Sequence, residues 1–328
     1  MSYANVGYNK GGCYECLAGL SRFPFEDFTD SPQWLATIGA EVPWNQAGPL
    51  AQVPHKAQES ESFFVRDPFH LYKQTMGGHF CASVVVLLGD LGHLVVPNHP
   101  DGNSVESFLG RASYDFDYFA RHEWKGRVRP NLKHFTGQIL HFSHNKAFPY
   151  GRFKGSDRML MTRWIRCVCE HGPVFDGDIT RSGQGLIHDP GYGHVWRLVA
   201  DMCAGILTFF HLLHTNGLWP APNTLQQMAN GVRTFCVGYS RLASWCYGQG
   251  LTRFQLQPSL HSLYHYYFEL RNRPSTYINP AADSCEADED FIGRTARLTK
   301  AVHPGTVTIR TLQRHQTKCC FEYENDSG

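Results

Sequence analysis

The sequence predicts a mainly α protein with a small α/β part, on three observations. Apolar residues recur at helical spacing over 105–124, 131–142, 157–171, 192–218, 224–247 and 258–270, with two more such stretches near the C-terminus. One short β-prone run, Ser62-Phe63-Phe64-Val65-Arg66, stops at Asp67-Pro68 and leads into a further helix-like stretch over 69–91. Before it, residues 1–60 show no sustained period of 2 or 3.6. The division that follows is a loop-rich N-terminal arm, 1–60, carrying a Cys-x-x-Cys, a mainly helical domain, 61–316, and a C-terminal tail, 317–328.

Each element has a local reason. The arm is punctuated at Gly11-Gly12, Pro24, Pro32, Pro43, Pro49 and Pro54 and is rich in aromatic residues, so it reads as an extended segment packed by rings. Asp67 stands where the short strand gives way to a helix, and an Asp before a Pro at the first helical position is a favoured cap. The stretches 81–96 and 198–213 are the most apolar, but Asp90 and His93 interrupt one and Asp201 and His211 the other. Both read as buried helices rather than membrane spans. Arg121, Lys125, Arg127, Arg129 and Lys133 form one basic cluster, and Lys146, Arg152, Lys154 and Arg158 a second. Together they read either as solvated surface or as a phosphate-facing strip.

Composition excludes more than it selects. In 328 residues, 42% hydrophobic and 18% charged, there is enough apolar material for a large core and no signature of disorder. Thirty Lys and Arg against 29 Asp and Glu leave a formal charge of +1, so any nucleic-acid face has to be local. Eleven scattered cysteines lack the spacing of a secreted disulfide framework, and the N-terminus lacks a basic stretch followed by an apolar core. The expectation is a nuclear or otherwise intracellular protein, not secreted and not bound to a membrane.

Several enzyme classes drop out on their motifs. There is no Walker loop, and Ser182-Gly183-Gln184-Gly185-Leu186 lacks the third glycine of a dinucleotide turn. His122-Glu123 has no second His three positions on, and no Gly-x-Ser-x-Gly elbow is present. Metal-ligand spacing survives in three places: Cys13-x-x-Cys16, Cys167-x-Cys169-x-His171, and His261 with His265 one helical turn apart. A Cys-x-x-Cys knuckle supplies two of the four ligands of tetrahedral Zn²⁺. The other two would come from Cys167, Cys169 or His171, or from Cys319 and Cys320, although Cys167 and Cys169 do not share a helix face. His261 and His265 read as helix-packing or solvent-exposed histidines.

Five carboxylates between Asp283 and Asp290 open a helix-like segment that is otherwise basic. Acids in a first turn follow from the helix dipole alone, yet they would also suit a hard divalent cation if Asp67 joined them.

On these residues the chain resembles the later part of a DDE-type transposase of the Plavaka and Kyakuja-Dileera-Zisupton kind. The residues are Arg66-Asp67-Pro68-Phe69-His70-Leu71-Tyr72 with Met76-Gly77-Gly78, then Pro258-Ser-Leu-His261-Ser-Leu-Tyr-His265 and Glu286-Ala-Asp-Glu289. Cys13-x-x-Cys16-x-Ala18-Gly19 and Phe148-Pro-Tyr-Gly151-Arg-Phe-Lys154-Gly155 also resemble a multi-copy protein group of single-celled algae.

The resemblance implies a partial ribonuclease-H-like core carrying a large helical insertion. Asp67 and Glu289, with Glu286 as the alternative, would hold Mg²⁺ or Mn²⁺ for two-metal phosphoryl transfer on DNA. His70 would hydrogen-bond a carboxylate or phosphate, and the strip from Arg121 to Lys133 would track the DNA backbone. It also implies an N-terminal truncation, because Asp27 and Asp30 lack the three strands that would carry the first catalytic Asp. A fragment of this kind would be inactive, and a homo-oligomer would be in keeping with the family. The alternatives are a non-catalytic DNA- or partner-binding helical protein and a structural zinc protein.

Overall fold

The computed structural model describes residues 13, 15–20, 22–38, 66–94, 104–124, 130–142, 147–175, 180–272 and 278–286, with scattered positions between 292 and 317. Two units are present, Met1–Asp283 and Ser284–Gly328. The second is helical at most of its described positions, 309–314 among them.

Among its described residues the first unit has six α-helices: α1 (Gly77–Asp90), α2 (Val105–Tyr118), α3 (Gly155–His171), α4 (Gly193–Thr215), α5 (Pro222–Gly248) and α6 (Pro258–Asn272). Two π-helical segments extend them, Phe69–Met76 leading into α1 and Phe119–Glu123 leaving α2. Mainly helical architecture is therefore as the sequence predicts. Among the described residues the only β pairing is the isolated bridging of Leu20 with Ala18 and Phe23. The β-prone run before Asp67 lies outside them, Arg66 excepted.

Sequence sets the helix ends. Ser104 accepts the Ser107 N–H at 3.2 Å to cap α2, and Glu106 in its first turn suits the dipole. Gly172, at φ 81°, stops α3, and Pro222 starts α5.

Every residue of α1 from Gly77 to Leu88 is buried, so this helix runs through the core. It packs against α3 and the π-helical lead-in, α4 packs against α3 and α5, and α5 against α6. By length and composition α4 is apolar enough to cross a membrane, and half of that stretch is buried against its neighbours.

The α4–α5 hairpin crosses at two glycines. A Cβ on Gly231 would lie 2.4 Å from the Gly205 carbonyl oxygen, and one on Gly205 would lie 2.7 Å from that of Gly231. Backbone, unlike a side-chain tip, cannot swing away. Gly231→Ala is expected to lower stability by about 2 kcal/mol despite the better helix propensity of Ala, as read from urea denaturation.

The segment 131–142 departs from the helix that its sequence predicts. Its backbone N–H groups are taken by side chains of neighbouring helices, Asn131 by Asp157 at 2.9 Å and Phe135 by Ser113 at 2.7 Å. Phe135 stacks on Trp164 with centroids 5.7 Å apart. The chain then closes a turn, with Phe142 N–H on the Gly137 carbonyl at 2.8 Å and His141 at φ 47°. Tertiary hydrogen bonds and ring packing outcompete a weak local preference.

Candidate metal centre

The arm reaches the helical body at α6. Trp34, fully buried, packs on His261, His265 and Phe268, with ring centroids 4.4, 4.8 and 5.6 Å away. The Tyr264 hydroxyl donates to the carbonyls of Phe28 and Thr29 at 3.0 and 3.1 Å, and Asp30 pairs with Arg233 at 2.7 Å. These contacts bring the Cys13-x-x-Cys16 turn onto the two histidines of α6.

Cys13, Cys16, His261 and His265 are each 1% exposed, and one ligand atom from each lies within 4.8 Å of all the others. Cys16 Sγ is 3.3 Å from His261 Nε2 and 3.6 Å from His265 Nε2, while Cys13 Sγ is 3.5 Å from His265 Nε2. The two Nε2 atoms are 2.9 Å apart. A tetrahedral ion with Zn–S about 2.3 Å and Zn–N about 2.0 Å has edges of about 3.3–3.8 Å, which the sulfur–nitrogen separations match, while the two Nε2 atoms would part by about 0.4 Å. The cluster could hold such a metal.

Local structure prepares the donors. The Glu15 N–H points to Cys13 Sγ at 3.4 Å, and the Ala18 N–H hydrogen-bonds Cys16, as in a knuckle shaped for thiolates. The Cys13 thiol lies far below its ordinary value because Cys16 hydrogen-bonds its sulfur, with His261 and His265 acting in the same direction; Cys16, the other member of the pair, lies above. Burial, helped by the nearby Arg66, holds the His265 imidazole neutral down to about pH 3. A neutral imidazole and a thiolate are the forms that ligate metal. Around the centre, Arg66 pairs with Glu15 and Glu269, and His265 Nδ1 is 3.8 Å from Glu15 Oε2.

The two histidines pack, as one half of the expectation had it, but they do not face solvent, and they also meet the Cys13-x-x-Cys16 turn. Spacing showed them one turn apart, but the partner turn is 245 residues away and no local pattern links the two. Cys167, Cys169 and His171 do not belong to the group: Cys167 Sγ donates to Glu123 at 3.4 Å, and burial raises the Cys169 thiol. Cys319 and Cys320 lie outside the described residues.

Asp67 caps its helix, as a residue before Pro68 can. Its Oδ1 accepts the Phe69 N–H at 2.8 Å, its carbonyl accepts that of Leu71 at 3.0 Å, and Oδ2 lies 2.5 Å from His70 Nδ1. Glu286 belongs to the second unit, where its N–H donates to the Ser284 hydroxyl at 3.3 Å. Glu289 lies outside the described residues, as do Lys125, Arg127, Arg129 and Lys146. Arg121 is exposed and paired with Asp117 at 2.9 Å, and Lys133 is exposed.

Arg158 corrects the reading of the second basic group. It is 3% exposed and donates to the carbonyls of Lys73 and Gly151 at 2.6 and 3.1 Å, so it faces the core and not a phosphate.

Beside it, His79 is 8% exposed with its ring 4.6 Å from Tyr150. Burial first, then the Arg158 charge, lowers the His79 pKa from 6.5 to about 4. The unfolded chain therefore takes up this proton first on acidification. The contribution is complete above pH 6.5 and is lost as pH falls towards 4, about 2 kcal/mol of it by pH 5. Buried Asp115, raised to about 6 by desolvation, works in the opposite sense. The isolating comparison is with His79→Gln, which is expected to lose about 2 kcal/mol less stability than the parent between pH 7 and 5 in urea titrations.

Compared with protein-family models, curated proteins and solved structures, the chain matches none.

Proposed function

We propose that this chain is a zinc-stapled helical binding protein, in which the metal fixes the arm to α6 and performs no chemistry. The observation that carries the reading is the convergence of two sulfurs and two Nε2 atoms in a buried place, with sulfur–nitrogen separations of 3.3, 3.5 and 3.6 Å. Four protein ligands leave no open position for a substrate or water, which is the mark of a structural site. The centre is shielded by Trp34, and it joins residues far apart in sequence. Chelation of the purified protein is expected to make residues 13–38 accessible to protease while most far-UV helical signal persists. An arm equally protected with and without chelator would overturn the reading.

A second reading is kinship with the DDE-type transposases, with a ribonuclease-H-like core and Asp67 as one of its metal carboxylates. The observation favouring it is the Asp67–His70 pair at 2.5 Å, with His70 exposed at the start of the helical lead-in to α1. Under it, DNA would be the partner and Mg²⁺ or Mn²⁺ the cofactor. Metal-dependent nicking of DNA that is lost in Asp67→Asn would support this reading, and nicking unchanged in that variant, or absent throughout, would remove it.

A further inference from the structure

A cleft of about 920 Å³ opens between the first turns of α2 and the segment 134–142. Its size falls within the range of small-molecule sites, about 300–1,000 Å³. Val105, exposed, is its main apolar surface, and Leu109, Phe135 and Phe142, almost wholly buried in the core, close its floor. Arg152 and His134, both exposed, also line it, with Gln138 and Thr136 as further polar residues. Glu106, in the first turn of α2, is the acid among the lining residues.

The walls are built rather than loose. Phe142 N–H closes on the Gly137 carbonyl at 2.8 Å, Tyr150 N–H on Leu140 at 2.9 Å and Arg152 N–H on Ile139 at 3.1 Å. Ser113 ties the segment to α2, taking the Phe135 N–H at 2.7 Å while its own hydroxyl donates to the Leu109 carbonyl at 2.7 Å. His141, another lining residue, is held at φ 47°, a conformation that costs energy outside glycine and persists where its surroundings over-determine it. Such strain clusters at ligand sites.

We propose that this cleft binds a small organic anion with an apolar body, its charged group at Arg152 and its body against Val105 over the floor that Leu109, Phe135 and Phe142 form. Arg152 supplies the attraction for an anion, and Glu106 opposes it and limits its affinity. The site is separate from the metal centre and does not depend on it.

The probe is the fluorescent anion anilinonaphthalene sulfonate, titrated into the full-length, metal-replete chain beside its neutral counterpart phenylnaphthylamine. The sulfonate is expected to bind saturably at one site and about tenfold more tightly than the neutral dye. Arg152→Glu should weaken it about tenfold, and Glu106→Gln should tighten it about twofold. Gly110, exposed on α2, lines the cleft, and a Cβ added there would meet nothing within 4 Å, so Gly110→Trp should fill the cleft and abolish the saturable signal. Melting of each variant within a few degrees of the parent confirms that the fold is kept. Non-saturable dye binding, equal binding of the neutral dye, or full affinity in a folded Arg152→Glu protein would overturn the proposal.

Discussion

Cys13→Ser and Cys16→Ser are each expected to strip the metal from the purified protein and to lower its melting temperature by about 10 °C or more. Structural zinc binding is worth about 10–16 kcal/mol in small metal-dependent domains, comparable with the whole stability of an ordinary domain. Under the zinc-staple proposal that gain goes to holding the arm. Without the ion, Cys13 and Cys16 face two imidazoles across 3.3–3.6 Å, a buried polar cluster in which His261 Nδ1 already lacks a partner among the described residues. His261→Ala should act in the same direction. A control substitution at Cys236, buried between α5 and α6 and outside the cluster, should leave zinc content unchanged. The pair of readouts, metal content and melting, separates loss of a ligand from loss of packing.

The second large effect is expected at Arg181. Its Nη1 is 3.0 Å from Asp115, which has no exposed side-chain surface, its Nε is 2.9 Å from Glu123, and Nη1 also donates to the Gly172 carbonyl at 2.7 Å. Arg181 thus locks the end of α3 to α2 and to the π-helical turn after it. Removing one partner of a buried pair leaves the other charge stranded, so Arg181→Met should cost about 3–5 kcal/mol at pH 7.

The sign of its pH dependence is fixed. Asp115 is already raised from 3.8 to about 6 by burial, with Arg181 opposing that rise. Loss of the guanidinium pushes the carboxyl higher still. A group with a raised folded pKa contributes most below its unfolded value and loses that contribution as pH rises. Arg181→Met should therefore be less destabilising at pH 5 than at pH 7. Adding Asp115→Asn should recover about 2 kcal/mol of the loss at pH 7, and a double variant as unstable as the sum of the singles would contradict the pairing.

How much of this was legible in the sequence differs by element. The six α-helices other than the misread 131–142 segment follow from apolar spacing, and Pro222, Ser104 and Gly172 mark their ends within one or two residues. The 131–142 stretch failed because its hydrogen bonds come from Ser113 and Asp157, which a local window does not see. The Cys-x-x-Cys half of the candidate metal centre was plain from its spacing. The His261 and His265 half was visible as an i, i+4 pair but lacked any local cue that a turn 245 residues earlier would meet it. Trp34 supplies that meeting through packing on both rings, and packing across such a separation has no periodicity to read. Arg158 misled for the reverse reason: a basic residue near others reads as surface, whereas carbonyl acceptors at Lys73 and Gly151 draw it inward.

The most direct test of the account is zinc analysis joined to X-ray absorption at the zinc edge, on protein purified without added metal. The account predicts one zinc per chain, with two sulfurs at about 2.3 Å and two nitrogens at about 2.0 Å, and loss of the signal in Cys16→Ser. Protein that purifies free of zinc and gains no stability when zinc is supplied, or a bound ion surrounded by oxygen ligands, would contradict it.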